Sequence, residues 1–281
     1  MTGRNIAASV RERLYQKAKT DRTDVQLQFT KYALERLLYR LSVSEHRNNF
    51  LLKGALLFDL WFDVPFRPTR DIDLLGFGMP ELPHLISVFK ELCELPVDDG
   101  ISFDPVSITA EEIREAANYP GMRIKLMGYI AEAECRVQID IGYDDALTLE
   151  PELADYPTIL DEMPAPQLRV YPVYTVVAEK LEAITSLGMA NTRMKDYFDL
   201  WVILQRLKLD HQLLAEAFEA TLKRRGTSKP SDLPLGFSDT FLTNQSSISL
   251  WNAFITRNKL EARTLESTVV ELREKLAFLF G

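Results

Sequence analysis

The stretch Lys53-Gly54-Ala55, followed by Arg67-Pro68-Thr69-Arg70-Asp71-Ile72-Asp73-Leu74-Leu75, decides how the chain is read. Asp71 and Asp73 stand one residue apart in an apolar run. Side chains alternate faces along a strand, so both carboxylates point the same way, about 7 Å apart along the chain. Like charges placed in this way repel, and a cation must offset the repulsion. Mg²⁺ suits the pair, because it binds one or two carboxylates together with the phosphates of a substrate. The segment therefore points to metal-assisted phosphoryl or nucleotidyl transfer. A strand-end turn with two solvated acids is the plainer alternative, but Ile72, Leu74 and Leu75 make solvated acids an odd interruption of a buried strand.

Working outward, Val137-Gln138-Ile139-Asp140-Ile141 is a second apolar run broken by a single acid. A neighbouring strand that brought Asp140 beside the pair would give three acidic side chains for one or two Mg²⁺ ions, the arrangement that clamps attacking and leaving oxygens. An edge-strand acid near the turn at Gly142 is the alternative. Gly54 follows a short apolar strand and opens a helix, where backbone without side-chain bulk approaches a phosphate and N–H groups point outward. Lys53 adds a point charge. Arg67 and Arg70, beside a rigid turn, either hold a triphosphate or offset the acids.

A last cluster lies further along the chain. Glu179-Lys180 interrupts an apolar helix, and Arg193-Met194-Lys195-Asp196-Tyr197-Phe198-Asp199-Leu200-Trp201 follows Gly188. Asp196 and Asp199 lie three apart on one helix face. Lys180 and Asp196 read either as an interhelical ion pair or as site residues. In the second reading Lys180 contacts phosphates, and Asp196 orients it or acts as general base. The three histidines, His46, His84 and His211, show no ligand spacing.

Of the 281 residues, 46% are hydrophobic and 26% charged, which is the balance of a globular chain with an ample core. The formal net charge of −8 argues against nonspecific nucleic-acid binding over the whole surface while leaving room for a local basic groove. No run approaches the ~20 apolar residues of a membrane span, so no membrane partner is expected. Cys93 and Cys135 read as a reduced cytoplasmic pair.

Two helices are expected over 5–42, the first capped by Asn5, then helices over 54–60 and 81–92 and strands over 101–108, 122–130 and 134–141. The segment 151–172, with five prolines, reads as an irregular crossing with short strands near Ile159 and over 168–171. The remainder is helical: 175–187, 193–207, 211–224, 245–258 and 264–279. The reading is an α/β (α+β) fold with a mixed sheet over 1–165 and a mainly helical domain over 166–281.

Taken in order, Leu52-Lys53-Gly54-Ala55, Arg67-Pro68-Thr69-Arg70-Asp71-Ile72-Asp73, Gln138-Ile139-Asp140-Ile141-Gly142, and Glu179-Lys180 with Arg193 to Leu200 resemble the AbiEii/AbiGii-like nucleotidyltransferase toxins. These include the MenT group and belong to the DNA polymerase β-like nucleotidyltransferase superfamily. The resemblance implies a nucleotidyltransferase core, with the helical domain completing the active-site cleft. It also implies a cytoplasmic toxin paired with a cognate antitoxin protein, a nucleoside triphosphate with Mg²⁺ (or Mn²⁺ in its place), and an RNA acceptor, tRNA in MenT-type members.

Carried over, Asp71 and Asp73 are catalytic metal-binding acids and Asp140 the third metal ligand. Lys180 and Asp196 are the essential lysine and aspartate of the helical part, and Lys53, Gly54, Arg67 and Thr69 bind nucleotide. Two departures stand out. Ala55 occupies a position where the family usually has Gly and the superfamily Ser, and 15 residues separate Ala55 from Asp71, longer than the spacing typical of the wider superfamily. A nucleotide- and metal-binding protein without turnover, and a metal-dependent nuclease using the same acids, are the rival functions.

Overall fold

Alternation along residues 134–143 builds the centre of the sheet. Cys135, Val137, Ile139, Ile141 and Tyr143 are buried, whereas Glu134 and Arg136 are exposed, which is the pattern of a strand with one covered face. The computed structural model describes residues 6–62, 68–78, 81–114, 120–143, 147 and 149–280. Asn5 and Arg67 lie outside these described residues.

The strands are β1 (Phe50–Lys53), β2 (Asp71–Gly76), β3 (Ser102–Arg114), β4 (Pro120–Ile130), β5 (Ala133–Tyr143), β6 (Glu152–Asp155) and β7 (Gln167–Val170). They form one mixed sheet in the order β3-β4-β5-β2-β1-β7-β6. β2 runs parallel to β5 and antiparallel to β1, while β3, β4 and β5 form an antiparallel meander.

Helices α1 (Ile6–Thr20), α2 (Val25–Val43) and α4 (Leu82–Glu94) pack against this sheet. A short helix, α3 (Leu57–Trp61), continues from a 3₁₀ turn over Gly54–Leu56. The four-residue spacing of Val10, Leu14 and Ala18 places all three in the core, each fully buried. Phe50 of β1 meets Phe89 of α4, with ring centroids 6.3 Å apart. The apolar layer therefore covers one face of the sheet, and the polar residues of β2, β4 and β5 are left on the other.

Most predicted elements form, with shifts at their ends, and the exceptions have local causes. No strand forms at Ile159, because the carboxylate of buried Glu35 takes its N–H at 2.6 Å. Arg36 donates to the Pro164 carbonyl at 2.7 Å, so two neighbouring residues of α2 hold this proline-rich crossing. The strand forms instead at β6, which pairs with β7.

The chain divides into two compact units, Met1–Asp144 with Pro151–Tyr171 and Asp145–Glu150 with Pro172–Gly281. The sequence reading places a boundary at 165/166. The units divide after Tyr171, because β7 is a sheet strand lying parallel to β1. The second unit contains α5 (Val173–Leu187), α6 (Met194–Arg206), α7 (His211–Arg225), α8 (Asp239–Thr243), α9 (Gln245–Asn258) and α10 (Leu265–Leu276). None of the described helices is long and apolar enough to cross a membrane.

Candidate active site

Register brings the sequence-distant charges into one row. Lys53 pairs with Asp73, Asp73 with Asp140, and Asp140 with Arg123, so β1, β2, β5 and β4 each contribute one charged residue to the same face. Asp71 is two residues before Asp73 and shares that face. The carboxylates of Asp71, Asp73 and Asp140 are half-buried, with oxygens within 4.8 Å of one another. Three hard oxygen donors at this separation fit a divalent cation such as Mg²⁺.

Each acid is held differently. The Thr69 hydroxyl, itself buried, donates to Asp71 Oδ1 at 3.0 Å. Asp140 receives the whole fork of Arg123, with Nε to Oδ1 at 2.8 Å and a terminal guanidinium nitrogen to Oδ2 at 2.7 Å. Gln138 adds longer contacts to both oxygens at 3.3 Å. The bidentate bond to Asp140 raises the Arg123 pKa above its ordinary value against a smaller opposing effect of desolvation, and nearby Asp71 adds to the rise. Lys53 lies over the Tyr171 ring, 5.7 Å from its centroid.

Gly54 is required twice over. Its φ of +73° lies in the left-handed region, and a Cβ built there would come within 2.6 Å of both Cβ and Cγ of Asp73. The backbone of residue 54 therefore abuts Asp73 directly, a contact available only to glycine. Gly54→Ala is expected to cost about 2 kcal/mol in strain and to push Asp73 out of line. If Asp73 holds the metal, moving it by about 1 Å lowers turnover by roughly 100-fold. Paired urea-unfolding and turnover measurements check this, and a wild-type rate with unchanged stability would refute it.

The second unit holds its own charged cluster. Lys180 Nζ donates to Asp196 Oδ1 at 2.9 Å and to Asp199 Oδ2 at 2.8 Å, and Arg193 Nε reaches Asp196 Oδ2 at 2.6 Å. Both aspartates are buried, and the Lys180 side chain is 14% exposed. Desolvation pushes Asp196 upward, but the charges of Lys180 and Arg193 outweigh it and hold the carboxyl below its usual value. Lys180 is thus an ion-pair partner, as one reading of the sequence expected, and Asp199 shares it equally with Asp196.

Lys53, Gly54, Thr69, Asp71, Asp73 and Asp140 come together in the first unit, and Lys180 and Asp196 in the second. Sequence reasoning missed Arg123. Its signal lay in the alternation Met122-Arg123-Ile124-Lys125-Leu126, where Arg123 and Lys125 occupy the polar face.

This fold also occurs in known structures. The Helicobacter pylori protein JHP933 superposes with a TM-score of 0.55 at 15% identity, over 92% of this chain and 93% of that one. An H. pylori protein assigned provisionally as a nucleotidyltransferase gives 0.54 at 15% identity, over 92% and 96%. These likenesses define the fold. A comparison with curated proteins finds no match. The profile of the nucleotidyl transferase AbiEii toxin family, from type IV toxin–antitoxin systems, matches residues 36–273, and the chain belongs to that family.

Proposed function

We propose that the chain transfers a nucleoside monophosphate from a nucleoside triphosphate to the 3′ end of an RNA, with tRNA as the acceptor, as MenT-type members do. The convergence of Asp71, Asp73 and Asp140 beside Gly54 and Lys53 carries this reading. The 3′-hydroxyl attacks the α-phosphate, and pyrophosphate leaves. Asp71 and Asp73, with Asp140, would hold Mg²⁺ or Mn²⁺, which when bound screens the charge of the triphosphate. Thr69 fixes the Asp71 carboxylate, so its part is to orient a ligand.

Lys53 contributes positive charge to the same face, and Arg67 is assigned to phosphate from its motif alone. In the second unit Lys180 is assigned to phosphate charge. Of the two roles considered for Asp196, its burial and its bonds to Lys180 and Arg193 favour orienting over proton abstraction. Family membership implies an antitoxin, and we assign toxin and antitoxin to the cytoplasm, in keeping with two free buried cysteines.

Incubation with each α-labelled nucleoside triphosphate, Mg²⁺ and total tRNA tests the proposal on a single sequencing gel. Extension by one or a few nucleotides, abolished by chelation, is the expected result. Shortened RNA would replace transferase with nuclease. Tight nucleotide binding without transfer under all four nucleotides would leave a binding module. A small open reading frame directly upstream, whose product relieves growth inhibition, is the expected genetic context.

A further inference from the structure

Asp140 differs from the other two acids of the cluster. Both of its oxygens already accept from one guanidinium, at 2.8 and 2.7 Å, and the residue that supplies it stands directly opposite on β4. The Arg123 side chain is 30% exposed and that of Asp140 15%, so the pair lies where solvent screens it only in part. A guanidinium in this position does two things to a divalent ion approaching the three carboxylates. It occupies hydrogen-bonding sites on one prospective ligand, and its charge repels the ion across a few ångströms.

Resting on the reading of Asp71, Asp73 and Asp140 as the metal-holding acids, we propose that Arg123 is the resident counter-cation of Asp140. It competes with a divalent ion for Asp140 and keeps metal binding weak in the absence of nucleotide. The register makes this specific. Lys125, the next residue on the same face of β4, is paired with Gln138 in register and bonds Glu111 at 2.7 Å, so its charge is directed to the β3 side. Arg123 alone on β4 meets an acid of the cluster in register. The consequence is a site that offsets part of its own charge repulsion when metal-free and gives up that pairing when the ion arrives with a triphosphate. A triphosphate also offers the displaced guanidinium a new anionic partner.

Direct titration with Mn²⁺ alone, read by the electron paramagnetic resonance signal of the free ion, tests the proposal without any turnover. Arg123→Gln removes the charge while its amide can still donate to Asp140, and it is expected to tighten Mn²⁺ binding about tenfold or more. Arg123→Lys keeps the charge and should stay within about threefold of wild type. Adding Arg123→Gln to Asp140→Asn should tighten binding by less than Arg123→Gln does alone, because the carboxylate being competed for is gone and only the repulsion between charges is relieved. A purely structural role for Arg123 predicts equal or weaker binding in Arg123→Gln, and that result overturns the proposal. Binding by wild type that is lost in Asp73→Asn but unchanged in Arg123→Gln would refute this inference and spare the metal-site reading. No binding by either wild type or Arg123→Gln would end both.

Discussion

Asp73→Asn is expected to abolish nucleotide transfer and leave the chain folded. Asp73 is the middle of the charged row, paired in register with Lys53 on one side and Asp140 on the other, and its carboxylate fills the space that the missing side chain of Gly54 leaves. Asparagine has nearly the same shape and keeps an oxygen, so packing against Gly54 survives, but the negative charge is lost. Charge stabilisation around a bound divalent ion contributes several kcal/mol to the transition state, and a loss of about 4 kcal/mol is roughly a thousandfold in rate. Stability should move little, because the substitution removes one of three carboxylates whose mutual repulsion opposes folding. Labelled-nucleotide transfer and urea unfolding on the same preparation separate the two effects. Wild-type turnover in Asp73→Asn would remove Asp73 from the chemistry.

The local grammar of the chain was legible because short-range physics writes it. Alternation in β5 and the four-residue spacing in α1 each reflect one buried face, and one covered face is enough to fix periodicity. Pairing between distant strands is not written that way. Asp73 and Asp140 are neighbours because β5 returns through α4, β3 and β4 to lie parallel to β2, and no local signal specifies that choice.

Arg123 shows how narrowly a site residue can be missed. With Ala131 to Ala133 read as a three-residue link, pairing Ile130 with Glu134 sets Ile124 opposite Asp140, an apolar partner on the wrong face. The actual turn has two residues, with Ala131 at a φ of +52°, and Ile130 pairs with Ala133. Counting outward from that pair lands on Arg123 and Asp140. A one-residue slip in a hairpin exchanges every inward and outward side chain. The strand expected at Ile159 failed for a different reason. Its backbone donor is claimed by a carboxylate buried in α2, a tertiary bond that a local pattern of apolar residues and prolines does not encode.

Lys180→Met carries the largest expected loss of stability, and it tests whether the helical cluster is scaffold or machinery. The ammonium of Lys180 is shared between the two buried aspartates Asp196 and Asp199, and Arg193 also pairs with Asp196. Removing the lysine leaves anionic charge in a poorly solvated site, at a cost of about 3–5 kcal/mol. The sign of the pH dependence follows from Asp196, whose carboxyl is held below its ordinary value. Its contribution in wild type is fully present above the carboxylate pKa of the unfolded chain, about 4, and is lost as pH falls through the lower folded value. Lys180→Met should blunt that loss on acidification, which urea unfolding at a series of pH values would reveal. Combining Lys180→Met with Asp199→Asn removes one of the two carboxylates that Lys180 serves and should recover a substantial part of the stability, because the two sites share one bond and their effects are not additive. The recovered double variant then isolates function. If Lys180 neutralises phosphate, transfer stays depressed by about 100-fold or more even though the protein is stable. If the stable double variant works at the wild-type rate, Lys180 is an interhelical ion pair and nothing else.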